Sequence, residues 1–362
     1  MKASKLIPFI MVAAVSCQAA ATADMPAWRW DAWEEEQGKE PEAPAEPHPG
    51  IVEQGWTNVS ASYAALPEGI AVYRSPETLG GVKAIAYIAV ADLSKVTWDV
   101  KAIDDPKIGG TTESLKTPSA FYTQTAAPVI VNGGYFFAEG GKNYNASVAV
   151  SGGRTYGVNI NYASTDWVTM YYPTRGVFYQ NESMAASPLE NEPKVGWTYW
   201  SGGAKHYLYS EPAKNSWDAA PLQIPDASFP TEAYDFAPQT AIGGGPVLIN
   251  GGEIVNTWEA ELLYGDGADD KMPLARHPRT AIGYTADNLL VLFVCEGRGM
   301  TEGVAGMTFE EEAKVLQALG CKVALNLDGG GSSCLLVQGQ ETIKVSDGSQ
   351  RPVASVVILK AK

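Results

Sequence analysis

Residues 322–339 read KVALNLDGGGSSCLLVQG, and their interpretation governs the rest of the chain. An apolar run, VALNL, delivers one carboxylate, Asp328, into three glycines and two hydroxyls before a second apolar run begins. A short apolar run bounded by glycine reads as a buried strand, so the stretch is strand, glycine turn, strand, with an acid at the turn. Glycines lack side chains, which lets backbone N–H groups approach an anion closely, and consecutive amides form an anion-binding concavity. The lysine of a GxxxxGK[ST] phosphate loop is missing, so this is not a nucleotide P-loop. A tight inter-strand turn with a solvated Asp328 is the plainer reading of the same residues.

The flanking sequence repeats the strand-and-glycine pattern. AIGGGPVLIN (241–250), RTAIGYTADNLLVLFVCEGRG (279–299) and ASVVILK (354–360) read as strands, as do AIAYIAV (84–90), APVIVNGGYF (127–136) and SVAVSGG (147–153). VTWDVKAI (96–103) alternates, as a strand with one wet face should. Thr117-Pro118 opens a short helix running to Thr125. A longer helix has Thr308 and Glu311 as a capping box, an apolar face of Ala313, Leu316 and Leu319, and Gly320 as a left-handed stop. So few helices among so many strands predict an α+β fold: one large strand-rich domain whose glycine-rich turns converge on a cleft.

The chain has 362 residues, 45% hydrophobic and 19% charged, a globular composition that excludes a disordered chain. Its net charge of −15 leaves no basic stripe to displace counterions from a phosphate backbone, which argues against nucleic-acid binding. There is neither a CxxC pair nor an HExxH, so the common zinc signatures are absent. Nor is there a G-x-S-x-G nucleophile elbow.

Lys2 and Lys5 precede the apolar run Leu6–Val15, too short for a bilayer span and shaped like a secretory signal over residues 1–23. Ala14-Val15-Ser16-Cys17 resembles a lipobox lacking its usual leucine, which would acylate Cys17 and give a periplasmic or outer-surface lipoprotein. Ala21-Thr22-Ala23 fits cleavage to a secreted soluble protein instead. Residues 24–54 carry nine acids, two bases and five prolines, the composition of a linker, although Trp28, Trp30 and Trp33 are able to dock on the body. The body is expected over 55–362. Within it, residues 156–217 hold 13 aromatics, and a candidate insertion extends to 235. These rings either line a sugar site or, the favoured reading, fill a half-buried sheet. Cys295, Cys321 and Cys334 allow at most one disulfide, and reduced burial is expected.

Other strand ends bear polar groups beside glycines: Asn132, Gly133, Gly134 and Tyr135; Arg279 and Thr280; Glu296 and Arg298; and IGGGPVLINGG (242–252) is a further glycine-rich turn. A cleft for an anionic polyol needs such groups, because arginine meets phosphate oxygens two at a time. A surface ion pair is the bland alternative for each. His277, next to Pro278 and Arg279, reads as a structural histidine rather than a catalytic one.

The ordered set NGGYF, GGPVLINGG, PRTAIG, EGR, the capped helix ending LG, ALNLDGGGSS and RPVASVVIL resembles the phosphodiester glycosidase family. That family includes the lysosomal enzyme that uncovers mannose 6-phosphate by removing N-acetylglucosamine from a phosphodiester. The resemblance runs from Ala84 to Leu359 and is strongest after Pro278. It implies an α+β domain with Asn132, Gly133, Gly134, Arg279, Thr280, Arg298, Asp328, Gly329, Gly330 and Ser332 in one cleft. Ser333-Cys334 departs from the usual Ser-Thr, and the aromatic stretch has no assignable counterpart.

The implied reaction is hydrolysis of a sugar-1-phosphodiester at the anomeric C–O bond, with no cofactor. On our reading Arg279 and Arg298 grip the phosphate, Asp328 is nucleophile or water-activating base, and Glu296 is a second carboxylate. Asn132 and Ser332 then bond sugar hydroxyls or phosphate. Two alternatives are a non-catalytic surface carbohydrate-binding lipoprotein and a metal-dependent phosphodiesterase cutting the P–O bond. For the latter, YGDGADDK (264–271) offers an acidic loop for Ca²⁺ or another divalent cation, without the EF-hand spacing.

Overall fold

The computed structural model describes residues 45–181, 191–203, 205–263 and 273–362. Trp28, Trp30 and Trp33, Cys17 and the acidic loop 264–271 lie outside the described residues. Residues Pro47–Lys362 make one compact unit. Structure begins inside the expected linker: Pro49–Glu53 form a short helix, α1, with proline at its start and Ile51 buried against Trp56 and its neighbours.

Three antiparallel sheets carry the fold. The eight-stranded sheet runs, in spatial order, Thr57–Asn58, Ile70–Arg74, Ala86–Asp92, Leu289–Cys295, Arg279–Thr285, Cys321–Asn326, Val247–Asn250 and Glu253–Ile254. Its Leu289–Cys295 strand is buried on both faces, as its unbroken apolar run demands. A five-stranded sheet orders Gln340–Glu341, Leu335–Val337, Val129–Asn132, Ser355–Ala361 and Val96–Ala102. The Val96–Ala102 strand buries alternate residues, which matches its period-two sequence.

The seven-stranded sheet takes up the aromatic stretch: Arg154–Gly157, Ala149–Ser151, Thr240–Gly243, Arg175–Gln180, Lys194–Trp200, His206–Tyr209 and Tyr234–Asp235. Residues 156–235 are therefore woven between 149–151 and 240–243, strands that pair with each other directly. Phe178, Trp197, Tyr199 and Tyr209 are buried there, so part of the stretch is sheet filling.

One hydrophobic core is shared by all three sheets, joining Val72, Val131 and Ile242 among others. Trp98 of the five-stranded sheet meets Phe178 of the seven-stranded sheet edge-on at 5.4 Å, with its Nε1–H donated to Gln180. Helix α2, Pro118–Thr125, is capped by Thr117. Helix α3, Phe309–Ala318, has the expected capping box, in which Glu311 N–H donates to Thr308 Oγ1 at 3.1 Å and Thr308 N–H to Glu311 Oε2 at 3.0 Å. Its Phe309, Ala313 and Leu316 fill a second core under the eight-stranded sheet. Cys295, Cys321 and Cys334 are free thiols, all buried. No helix among the described residues is long and apolar enough to cross a membrane.

Candidate active site

Asp328 leaves the end of the Cys321–Asn326 strand and enters a turn fixed by backbone bonds from distant segments. Its N–H donates to Gly133 O at 3.0 Å, Leu327 N–H to Thr280 O at 2.7 Å, and Gly330 N–H to Pro278 O at 2.9 Å. Asn132 joins these pieces. Its Nδ2 donates to Asp328 O at 2.6 Å, while its Oδ1 accepts from Thr280 Oγ1 at 2.9 Å and Cys334 N–H at 3.1 Å. The amide is buried with both ends occupied, so it braces the turn and is not available to a sugar hydroxyl, which corrects the ligand role expected for it. Thr280 and Ser333 are bonded to one another in the same buried network.

Gly133 and Gly134 are there for closeness of approach. A Cβ on Gly133 would collide with Ser355 Oγ and stand 2.9 Å from the Ser355 backbone. Gly133 N–H instead donates to Ser355 O at 2.8 Å, locking two strands of the five-stranded sheet where the site begins. Gly330 has φ +60, and a Cβ there would lie 2.7 Å from the Arg298 guanidinium. Neither Gly133 nor Gly134 lines the hollow.

The hollow holds about 200 Å³ and is lined by Asp328, Gly329, Gly330, Gly331, Tyr135, His277, Arg279, Arg298 and Arg351. Of the expected residues, the fold thus brings together Arg279, Arg298, Asp328, Gly329 and Gly330, with Ser332 hydrogen-bonded to Asp328 from behind. Burial pushes the Asp328 carboxyl up to about 6, against the opposing pull of the Ser332 hydroxyl, the Arg351 charge and the Gly329 N–H. Arg279 is 2% exposed, donates through Nε to Met307 O at 2.8 Å and through Nη2 to Ala275 O at 3.0 Å, and stacks on Phe309 at 3.9 Å. It contributes a fixed positive field more than a free fork. Beneath it lies Glu312, wholly buried and pushed up to about 8 by that burial, with Arg279 pulling the other way.

Arg298 and Arg351 form the open side. Both face Asp347: Arg351 Nη2 pairs with it at 2.7 Å, and Arg298 Nη1 stands 3.9 Å away. Arg298 holds φ +56, a left-handed backbone uncommon for a side-chain-bearing residue. Tyr135 donates its hydroxyl to Gly245 O at 2.8 Å and accepts from Asn326 Nδ2 at 3.1 Å, with burial raising its pKa.

Glu296 does not line the hollow, contrary to its expected role as second carboxylate. It is buried, with Oε2 accepting from Lys344 N–H at 3.3 Å. The register explains this. Arg279 pairs with Cys295, so those two share a face, and the next residue, Glu296, turns to the other. Arg351, which the sequence did not single out, lies in the loop before the closing strand. The signal was Arg-Pro immediately ahead of a strand that pairs with the Asn132 strand.

Among the described residues no group of three or more His, Cys, Asp or Glu side chains is placed to hold a metal ion. The candidate Ca²⁺ loop, 264–271, lies outside them.

Comparison with known proteins bears on the family and the fold. Residues 125–360 match the model of the phosphodiester glycosidase family. The SPbeta prophage-derived protein YomE of Bacillus subtilis is 36% identical over 84 residues, which is 23% of this chain and 13% of YomE. Among solved structures, the catalytic domain of zebrafish N-acetylglucosamine-1-phosphodiester alpha-N-acetylglucosaminidase, auto-inhibited by its pro-peptide, superposes with a TM-score of 0.51 at 18% identity. The superposition covers 80% of this chain and 82% of that one. A hypothetical protein from Synechocystis gives a TM-score of 0.51 at 16% identity, over 83% of this chain and 64% of its own length. At these identities the two structures speak for the shared fold alone.

Proposed function

The chain belongs to the phosphodiester glycosidase family, and on that premise we propose that it hydrolyses a sugar-1-phosphodiester at the anomeric carbon, releasing free sugar and a phosphomonoester. The observation that carries this reading is the placement of Asp328, its carboxyl pushed up to about 6 by burial, in one glycine-floored hollow with Arg279, Arg298 and Arg351. The leaving group is a phosphate, stable as an anion, so its departure needs far less protonation than an ordinary sugar alcohol does. A second, acidic carboxyl is then dispensable, which fits the position of Glu296 outside the hollow.

The anomeric carbon is attacked by Asp328 itself or by a water that Asp328 deprotonates. The C–O electron pair leaves with the phosphate oxygen. Arg298 and Arg351 meet the phosphodiester, and the field of Arg279 offsets charge gathering on the departing oxygen. Retention of anomeric configuration would identify Asp328 as nucleophile, inversion as base.

The test is hydrolysis of sugar-1-phosphodiesters in ¹⁸O-labelled water. Label in the sugar is expected. Label in the phosphate would assign P–O cleavage instead, and binding without product would favour a carbohydrate-binding protein that lacks turnover. We also propose export, with Cys17 as lipid acceptor; a Cys17→Ser chain that still takes up labelled fatty acid would refute the anchor.

A further inference from the structure

A recess larger than the hollow lies beside the aromatic stretch. It holds about 760 Å³, within the usual range for small-molecule sites, and its walls are aromatic: Phe137, Tyr144, Tyr162, Trp167, Trp200 and Trp217. A third cavity of about 200 Å³ shares walls with both: Tyr135 also lines the hollow, while Ile160, Leu262 and Leu263 also line the recess. The chain itself makes the connection: Tyr135 faces the hollow and Phe137 the recess, two residues and about 7 Å further along extended backbone.

The wall chemistry narrows the occupant. Phe137 and Tyr144 stack on one hairpin with centroids 4.9 Å apart and planes 12° from parallel, presenting a flat apolar floor. Trp217 is held by an edge contact to Tyr171, itself tied by its hydroxyl to Ala219 O. Trp167 is 74% exposed and Tyr162 43% exposed, although large aromatics are ordinarily covered. Trp167 is nevertheless fixed at its backbone. Its N–H donates to Ser164 Oγ at 2.9 Å, and Asp166 Oδ1 accepts from Val168 N–H at 2.8 Å and Thr169 N–H at 2.7 Å. Between the rings stand Asn161, Thr165 and Glu139, able to exchange hydrogen bonds with hydroxyls. Flat apolar faces interleaved with amide, hydroxyl and carboxylate suit a pyranose, whose C–H faces are apolar and whose rim is hydroxylated.

We propose that this recess binds saccharide units which extend the substrate beyond the linkage held at Asp328, so that the enzyme acts on an oligosaccharide-bearing phosphodiester. The assignment rests on the hollow being the reacting centre, but its test does not. Neutral tetraoses of β-1,4-glucose, β-1,4-N-acetylglucosamine, α-1,4-glucose and α-mannose carry no phosphodiester. Their binding to the full chain is read by tryptophan fluorescence and calorimetry. At least one is expected to bind wild type and Asp328→Asn equally, and to bind Trp167→Ala about tenfold more weakly. Trp167 is exposed, so that variant keeps its fold, which circular dichroism and thermal melting verify. If none of the four binds wild type, or if binding is indifferent to both Trp167→Ala and Trp200→Ala, the recess is not a saccharide site. Tetraose binding without any phosphodiester hydrolysis would leave this inference standing and overturn the proposed activity.

Discussion

The hollow and the recess approach each other along the chain at Tyr135 and Phe137 and are built by opposite means. Around Asp328 the backbone does the positioning: glycines admit neighbouring strands, Asn132 ties separate segments, and side chains such as Arg279 are buried and bonded. In the recess the backbone is mostly loop, and exposed rings supply the surface. A rigid pocket suits charge stabilisation, which rewards groups already in place. A wall of rings suits stacking, which tolerates differences among ligands. If the two proposed roles hold, the contrast implies that chemistry and substrate choice are separable in this molecule.

The largest expected effect falls on the hollow. Asp328→Asn should lower turnover by about 10²–10⁴-fold without lowering the denaturation midpoint, since it removes the charge and keeps the shape. An Asp328→Asn protein with wild-type turnover, measured by phosphomonoester release, would end the assignment. Next comes the brace. Asn132→Ala strands the Cys334 N–H and the Asp328 carbonyl in a buried setting, and should cost about 3 kcal/mol in urea unfolding, with activity falling too. No exposed recess residue should match that loss, and a stable Asn132→Ala chain would erase the distinction between the two regions.

A smaller effect concerns pH. On the proposed mechanism the ionised form of Asp328 is the working form, so kcat/KM should rise with pH through about 6. Arg351→Gln removes a charge that favours that form, so the acid limb should move to higher pH. A limb that stays in place means Arg351 does not act on Asp328. The smallest effect is on stability. Glu312 binds its proton more tightly folded than unfolded, so its contribution to stability falls as pH rises from about 4.5 to about 8. Glu312→Gln should flatten that fall, seen as a higher melting temperature than wild type near pH 8 and little difference near pH 5.

Most of the framework was legible because it is written in local pattern: buried strands in VLFVC and VVIL, the capped helix after Thr308, and the glycine turn after Asp328. Arg279 and Arg298 were legible as cations beside glycines. What failed was direction. Position at a strand end does not say which face a side chain takes, and the pairing of Arg279 with Cys295 sends Glu296 away. Nor does a polar residue in a glycine motif announce its partner: Asn132 is spent on structure. Arg351 sits in a loop without periodicity, and only the strand pairing behind it reveals its neighbours. The aromatic stretch divided between both readings, Trp197 and Tyr209 filling the sheet while Trp167 and Tyr162 face outward.

The brace at Asn132 has a further consequence. Its three partners, Thr280, Asp328 and Cys334, come from stretches that are far from Asn132 in the chain. A partly assembled molecule, or a proteolytic fragment lacking either half, therefore has no competent centre. Appearance of catalytic turnover during refolding should coincide with the last tertiary event, making enzyme assay a stricter reporter of completed assembly than any optical probe of strand content.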